Sequence, residues 1–255
     1  MIQTQRCACA THWCNSPNME QNSDLTLLEW MDIHARVLFR HTSDKQIENC
    51  AGSPRFYLAR TRQGNFHRIR NDLPTAVNER LLSLASHEPN LAEPGVPPRY
   101  AREYSAILAE AAPIERKWHG PAYRFPTQIP MAIQRTPYPL TQIDDHNIDL
   151  LHANHQDWIP DVGTGDPVCA LVVAGDVVSV CFSATMSDIA FEAGVDTLEP
   201  HRQRGYAVAV VAFWAQAVRD LGYQPLYSTS TDNLASQATA AKLGLIPIGD
   251  DFHIT

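Results

Sequence analysis

Residues 201–222 read HRQRGYAVAVVAFWAQAVRDLG, and their order is the clearest guide to the fold of this 255-residue chain. A turn that contains Arg202, Arg204 and Gly205 comes first, and a long apolar stretch with helical spacing follows it. The preceding segment, AFEAGVDTL (190–198), has the composition of a β-strand. A strand that leads through a glycine turn into a helix indicates an α/β fold.

This turn has the features of an anion-binding site. The first N–H groups of a helix have no partner inside the helix, and the helix dipole gives that end a partial positive charge. Gly205 has no side chain to keep a ligand away, and Arg202 and Arg204 add positive charge. We therefore expect a pyrophosphate to bind here. The alternative is an ordinary helix start with two exposed arginines.

The segments on both sides of the turn predict a mixed sheet flanked by helices. Residues 168–184 predict a hairpin, because two apolar runs flank the turn residues Ala174-Gly175-Asp176. The other predicted elements of this half are a helix over 141–158, a strand at PLYSTST (225–231), a helix at NLASQATAAKLG (233–244) and a final short strand pair in LIPIGDDFHIT (245–255).

The first half of the chain predicts a separate accessory domain. Its predicted elements are helices over 25–39, 75–86 and 100–113, and two strands around Arg62-Gln63-Gly64-Asn65. A stretch with five prolines between Gly120 and Leu140 predicts a domain boundary near residue 128. We therefore expect a disordered arm over 1–23, an N-terminal α/β accessory domain over 24–127 and a second domain over 128–255.

The cysteines near the start of the sequence do not predict a metal site. Cys7, Cys9, His12 and Cys14 are residue types that bind zinc. Their C-x-C spacing is not the usual C-x2-C, however, and no second half-site follows. We therefore expect no bound metal.

The composition excludes a membrane-spanning helix and predicts an uneven surface charge. No apolar run approaches the ~20 residues that span a bilayer, so we expect a soluble, cytoplasmic protein that binds neither membrane nor nucleic acid. Residues 136–201 contain eleven Asp or Glu and no Lys or Arg, which favours a cationic ligand. Residues 51–70 contain five Arg and no acidic residue, which favours a phosphate-bearing or acidic partner. Two ordinary solvated faces are the alternative, and exposed arginines contribute little to stability.

Two short motifs occur one strand and one helix apart in the second half of the chain. The first is Arg202-x-x-Gly205-x-Ala207, and the second is Asn233-x-x-Ser236, followed by Lys242-Leu243-Gly244. In this order they resemble the GNAT family of acyl-CoA N-acyltransferases, over roughly residues 130–255. The resemblance implies a mixed, mostly antiparallel sheet in which the strand at 190–198 splays from the next strand. The gap between those strands then receives the pantetheine arm of acetyl-CoA.

The resemblance also implies which residues bind acetyl-CoA. Groups at the end of the strand and along the turn contact pantetheine and pyrophosphate, and two polar residues of the second motif contact the cofactor. The implied residues are Thr197, Leu198, Arg202, Gln203, Arg204, Gly205, Tyr206, Ala207, Asn233 and Ser236.

The candidates for catalysis follow from the chemistry of amide formation. Transfer to an amine needs a base that accepts a proton from the ammonium, and Glu192 is our candidate, close to where the resemblance places a catalytic glutamate in the histone-acetylating branch. A solvated glutamate at a sheet edge is the alternative. Many family members place a tyrosine seven residues after the asparagine to protonate the thiolate, but Ala240 stands there. Tyr227, Ser228 and Ser230 could replace it, although YSTST is also an ordinary strand composition.

We therefore expect an N-acetyltransferase that uses acetyl-CoA as acyl donor. Its acceptor is expected to be a primary amine of a small, cationic molecule such as a polyamine, an aminoglycoside or an amino-acid derivative, which attacks the thioester directly. Two alternatives stay open. One is a non-catalytic acyl-CoA-binding regulator, and the other is a transferase of longer acyl chains from a carrier protein that docks on the arginine-rich hairpin. A homodimer also stays open.

Overall fold

The computed structural model describes residues 25–130 and 136–255, so the predicted arm over 1–23 and the cysteine cluster within it lie outside the described residues. The helices are α1 Leu27–Leu38, α2 Thr75–Ala85, α3 Ala101–Ala111, α4 Tyr206–Asp220 and α5 Leu234–Lys242. The strands are β1 Phe56–Thr61, β2 Gly64–Ile69, β3 Lys117–Arg124, β4 Leu140–Ile143, β5 Val168–Val173, β6 Asp176–Met186, β7 Ala190–Thr197, β8 Gln224–Ser228 and β9 Ile246–Ile254. None of the helices in the described ranges is long and apolar enough to cross a membrane.

The strands of the described ranges form one mixed sheet in the order β2-β1-β9-β3-β8-β7-β6-β5-β4. All neighbouring strands are antiparallel except β7 and β8, which are parallel. Helix α4 connects these two strands, and such a crossover helix returns the chain so that the next strand runs in the same direction. The predicted mixed, mostly antiparallel sheet flanked by helices is therefore confirmed.

Strand alternation divides the hydrophobic core between the two faces of the sheet. Tyr57 of β1 packs with α1, whereas its neighbour Phe56 packs with α2 and α3 on the other face. In the same way, Leu226 of β8 packs with α1, and Tyr227 packs with α4. Helix α1 therefore covers one face, and α2 to α5 cover the opposite one.

Two predictions of local structure are wrong, each because pairing with a distant strand outweighs a local pattern. Residues 141–158 are not a helix: β4 pairs there with β5, and two short 3-10 turns, Ile148–Leu151 and Gln156–Asp161, follow. The predicted final strand pair is the single strand β9, which is long because β1 and β3 hold it on both sides. Strand β3 was not predicted. It ends inside the proline-spaced stretch, and a Cβ on its Gly120 would lie 1.9 Å from the backbone oxygen of Thr229.

The arginines of the hairpin formed by β1 and β2 are mostly not exposed, so the expectation that they contribute little to stability is wrong. Arg55 is 4% exposed and Arg60 is 3% exposed. The guanidinium of Arg55 donates hydrogen bonds to four backbone oxygens, those of Leu108, Ala112, Pro113 and Thr255. Three further arginines form ion pairs: Arg60–Glu88, Arg68–Asp32 and Arg70–Asp72. Four of the five arginines are therefore committed to the fold.

The division into two domains near residue 128 stays a prediction, and the sheet crosses that boundary. Strands β1, β2 and β3 belong to the first part of the chain, and β9 belongs to the second. β9 nevertheless pairs with β1 on one side and with β3 on the other. The two parts of the chain therefore share one set of backbone hydrogen bonds.

Candidate active site

Strands β7 and β8 lie side by side for only three residues and then separate. Ala190, Phe191 and Glu192 pair with residues 224–226, and no later residues of these two fully described strands pair with each other. β7 continues to its end beside β6, and β8 continues beside β3. A wedge-shaped opening therefore begins at Glu192 and Leu226, where the resemblance implies a gap for pantetheine.

The turn after β7 leaves the N-terminus of α4 without a side-chain cap. Gly205 is the N-cap residue and adopts the left-handed conformation with φ of 81°. A Cβ built on Gly205 would meet no atom within 4 Å, so its outer side is open space. The first N–H groups of α4 have no partner inside the helix, and the exposed side chains of Arg202 and Arg204 stand beside them. An anion can therefore approach this helix end closely.

The end of β7 is tied to the turn by hydrogen bonds. Arg202 Nε donates to the backbone oxygen of Thr197 at 3.0 Å, and the Thr197 hydroxyl lies 2.7 Å from that of Ser179. The backbone N–H of Leu198 donates to Val178 at 3.0 Å. This N–H is already used within the sheet, so contacts of Leu198 with a ligand are left to its carbonyl oxygen and side chain.

The remaining predicted residues of the turn differ in what they can offer. The side chain of Gln203 is exposed, and its φ of 62° is left-handed. Tyr206 is buried, and its ring packs edge-on against Tyr138 at 5.6 Å. Tyr206 and the half-buried Ala207 therefore contribute to an anion site through their backbone N–H groups.

The second motif is linked to β8 through hydrogen bonds. Asn233 caps α5, because its side-chain oxygen accepts from the backbone N–H of Ser236 at 3.0 Å. The Ser236 hydroxyl in turn lies 2.6 Å from the Tyr227 hydroxyl. Burial raises the pKa of Tyr227 to about 12, so its phenol keeps its proton at neutral pH. Asn233, Ser236 and Tyr227 therefore form one connected group on the α4 face.

The other candidates for the general acid have weaker positions. Ser230 is half-buried, and its backbone oxygen accepts from the N–H of Asn233 and from the side chain of Gln237. Ser228 is also half-buried, at the end of β8. Ala240 is 1% exposed and belongs to the apolar core around α4. Of these residues, only Tyr227 has a hydroxyl connected to the cofactor motif.

Glu192 is buried within the sheet rather than solvated at an edge. The residue is 4% exposed, and neither carboxylate oxygen makes a hydrogen bond. Its position opposite Thr185 on β6 coincides with an irregularity in the strand register. The Thr185 hydroxyl is also buried without a hydrogen-bond partner. Two residues whose side-chain oxygens lack a hydrogen-bond partner therefore lie opposite each other where the wedge begins.

The positively charged side chain closest to the Glu192 carboxylate is that of His34 in α1. Its Nδ1 lies 3.5 Å from Glu192 Oε2, and its Nε2 lies 3.1 Å from Asp251 Oδ2. Burial lowers the pKa of His34, but the hydrogen bond to Asp251 and the negative charges of Asp251 and Glu192 outweigh it and raise the pKa to about 10. The ring is therefore an imidazolium between two carboxylates at neutral pH.

Asp251 is held on its other side by β3. Trp118 Nε1 donates to Asp251 Oδ1 at 2.6 Å. Burial raises the pKa of Asp251, but the hydrogen bond from His34 and its charge lower it below the ordinary value. His253, stacked on Trp118, is neutral, since burial lowers its pKa to about 4. One cation and two anions therefore make up the charged centre of this cluster.

Sequence reasoning missed His34 and Asp251, which lie 217 residues apart in the chain. One local signal for His34 exists. It lies three residues after Met31 and four after Trp30, which places it on the apolar face of an amphipathic helix. A histidine on such a face needs a buried partner, but the sequence does not say where that partner is.

Residues 163–249 match the family model of the GNAT acetyltransferases. This segment, about a third of the chain, is similar to the GNAT acetyltransferase domain. The GNAT segment contains the wedge, the uncapped turn, and the motif at Asn233 and Ser236, whereas His34 and Asp251 lie outside it. No protein of curated function matches the sequence significantly. The resemblance seen in the two motifs is therefore confirmed at the level of the family.

Several solved structures are similar to this chain at low sequence identity. A GCN5-related N-acetyltransferase-like protein from Streptococcus suis is 18% identical, with a TM-score of 0.49 over 90% of this chain and 100% of that one. A GNAT-family acetyltransferase from Colwellia psychrerythraea is 13% identical, with a TM-score of 0.46 over 74% and 76%. AAC(6')-Iy, solved with a bisubstrate analogue that contains CoA, is 16% identical, with a TM-score of 0.37 over 44% and 92%. No substrate is inferred from these likenesses.

Proposed function

We propose that this chain is an acetyl-CoA-dependent N-acetyltransferase that acts on a primary amine of a small, cationic molecule. The observation that carries the proposal is the position of Glu192. Its buried carboxylate, with no hydrogen bond to either oxygen, lies at the point where β7 and β8 separate. A proton acceptor at the closed end of a cleft suits the deprotonation of an amine that enters the cleft.

The residues around the wedge fit a CoA thioester. The uncapped N-terminus of α4 offers free N–H groups to a pyrophosphate, and the open space at Gly205 permits close approach. Arg202 and Arg204 are exposed beside this end and add two positive charges. The strand edges that β7 and β8 leave unpaired can hydrogen-bond the amide groups of an extended pantetheine arm.

Acetyl-CoA supplies the acetyl thioester, and the amine nitrogen forms a bond with its carbonyl carbon as the carbon–sulfur bond breaks. Glu192 accepts the proton that the attacking nitrogen loses, and it later releases that proton to solvent. The departing thiolate gains a proton to become the CoA thiol. Tyr227 stays protonated at neutral pH and can donate a hydrogen bond to that sulfur from the α4 face.

The proposed cationic acceptor is supported by the acidic character of the surrounding chain. Residues 136–201 carry eleven acidic and no basic side chains apart from histidines. Among these acids, Asp188 pairs with Arg36, and Asp196 is half-exposed on β7 with its carboxylate 3.9 Å from His155 Nδ1. The alternative of acyl transfer from a carrier protein is less well supported. The hairpin arginines expected to bind that protein are mostly buried or paired with carboxylates.

The proposed function is tested by measuring thiol release from acetyl-CoA with a panel of polyamines, aminoglycosides and amino-acid derivatives. We expect at least one amine class to raise release well above the rate without an acceptor. Binding of CoA without release to any amine contradicts the enzyme and favours the regulator. Octanoyl-CoA in a parallel series tests the acyl length.

The role of Glu192 is tested with Glu192→Gln. Loss of a positioned base costs ~10²–10⁴-fold in rate, so we expect most turnover to disappear near neutral pH and part of it to return at high pH, where more of the amine is neutral. The thermal shift caused by CoA should persist. Asp188→Asn removes an exposed carboxylate just before β7 and should keep full activity. If the turnover of Glu192→Gln stays within about threefold of the parent's, Glu192 is not the general base.

A further inference from the structure

The cluster around His34 connects α1 to the proposed base. The two ring nitrogens of His34 face two different carboxylates, at 3.1 Å from Asp251 and 3.5 Å from Glu192. All three side chains are buried, with at most 5% of their surface exposed. His34 comes from α1, Glu192 from the GNAT segment, and Asp251 from just beyond it. The histidine is therefore supplied by a part of the chain that the family match does not include.

The two ends of this cluster are held unequally. Asp251 is fixed by hydrogen bonds from both His34 and Trp118. Glu192 makes no hydrogen bond, and among the described residues its ion pair is with His34. Asp251, which is held firmly, therefore lies away from the wedge, and Glu192, which is held loosely, lies at the start of the wedge.

We infer that His34 is the positioning residue of the proposed base. Its Nε2–H, donated to Asp251, fixes the ring, and its Nδ1–H then points toward Glu192 and holds that carboxylate at the start of the wedge. This inference rests on the proposed function, since it assigns His34 a role through Glu192. It means that α1, outside the GNAT segment, is required to complete the active site.

The charges around His34 agree with this role. Glu192 on β7 and Asp251 on β9 contact His34 directly. Trp118 on β3 bonds to Asp251, and His253 on β9 stacks on Tyr57 of β1. Burial keeps His253 and Tyr57 neutral at physiological pH, because it lowers the first pKa and raises the second. His34 is therefore the cation between both carboxylates: its Nε2 is hydrogen-bonded to Asp251, and its Nδ1 lies within ion-pair distance of Glu192.

The inference is tested with His34→Gln and His34→Asn. A glutamine amide reaches the place of Nε2 and can keep the bond to Asp251, but it offers no donor toward Glu192. We expect His34→Gln to lower kcat by about 10–100-fold, the usual effect of removing a group that orients a reactive ligand, with KM for acetyl-CoA nearly unchanged. An asparagine amide lies nearer to the place of Nδ1, so His34→Asn should retain more of kcat than His34→Gln.

A double-mutant cycle separates positioning from a structural role. If His34 acts through Glu192, the double variant His34→Gln, Glu192→Gln should have the same kcat as Glu192→Gln alone. If His34 has a purely structural role, its effect on kcat should add to that of Glu192→Gln. His253→Gln is the matched control, because His253 is buried in the same cluster and does not contact Glu192. His253→Gln should lower the melting temperature and leave kcat within about threefold of the parent value.

The outcomes for the inference and for the proposed function are distinguishable. An active parent with an equally active His34→Gln overturns the inference alone, and so does full additivity in the cycle. A parent that releases no thiol with any amine overturns both. ¹⁵N NMR gives a readout without turnover: His34 should keep both ring protons at pH 8, and a neutral ring there contradicts the proposed arrangement.

Discussion

Arg55 shows how little the charge of a side chain says about its role. The sequence places it in a basic hairpin, but its guanidinium holds four backbone oxygens in the interior. Removing one partner of buried hydrogen bonds costs about 1–3 kcal/mol for each group left unsatisfied. We therefore expect Arg55→Met to lower stability by about 3 kcal/mol or more in chemical denaturation. Arg62→Ala, the exposed member of the same hairpin, should change it by less than about 0.5 kcal/mol. Equal effects of the two variants would contradict the assignment.

Residues were predictable where their partners lie close in the chain. The sequence placed Gly205 at the start of a helix, because a turn and the helix that follows it are local. The structure adds that Asn233 caps the helix that contains Ser236. The partners of His34 could not be predicted, since only the sheet order brings residue 251 beneath α1. The sequence therefore predicts the cofactor side of the site and misses the interior side.

The turn into α4 carries a prediction at the level of a single element. Gly205 and Gly222 stand at opposite ends of this helix, with φ of 81° and 87°. Alanine at either position adopts a left-handed conformation that costs roughly 1–2 kcal/mol, so both variants should lose similar stability. We expect Gly205→Ala alone to weaken or abolish the thermal shift caused by CoA, because its methyl group enters the space where the pyrophosphate approaches. An unchanged shift in Gly205→Ala, or its loss in Gly222→Ala, would contradict the assignment.

Elements were predictable where periodicity and turn chemistry agree with tertiary packing. The β5–β6 hairpin, β7, α4 and α5 all appear where the sequence placed them. Strand β3 was not predicted, because Gly120 and Pro121 are residue types that are uncommon inside strands. Gly120 fits there because the backbone of Thr229 leaves no room for a side chain. The helix predicted over residues 141–158 does not form, because the backbone hydrogen bonds between β4 and β5 outweigh the helical spacing of its apolar residues.

The whole molecule is organised by one sheet rather than by the boundary that composition indicates. β9 supplies Phe252 and Ile254 to the same core cluster as Phe56 and Leu58 of β1. A chain that begins at residue 128 would therefore lack both strands that flank β9 and much of one core cluster. This strand order depends on pairing between distant parts of the chain, and local sequence patterns do not encode such pairing.

This continuous sheet predicts that the two parts of the chain unfold together. We expect one calorimetric transition, with equal calorimetric and van't Hoff enthalpies, because separating the parts would break the β1–β9 and β3–β9 ladders. Leu58→Ala in β1 and Val210→Ala in α4 remove fully buried side chains from the two parts. Each should lower the same single melting temperature by several degrees. Two transitions, each shifted by only one of the variants, would instead establish the independent domains that the sequence predicted.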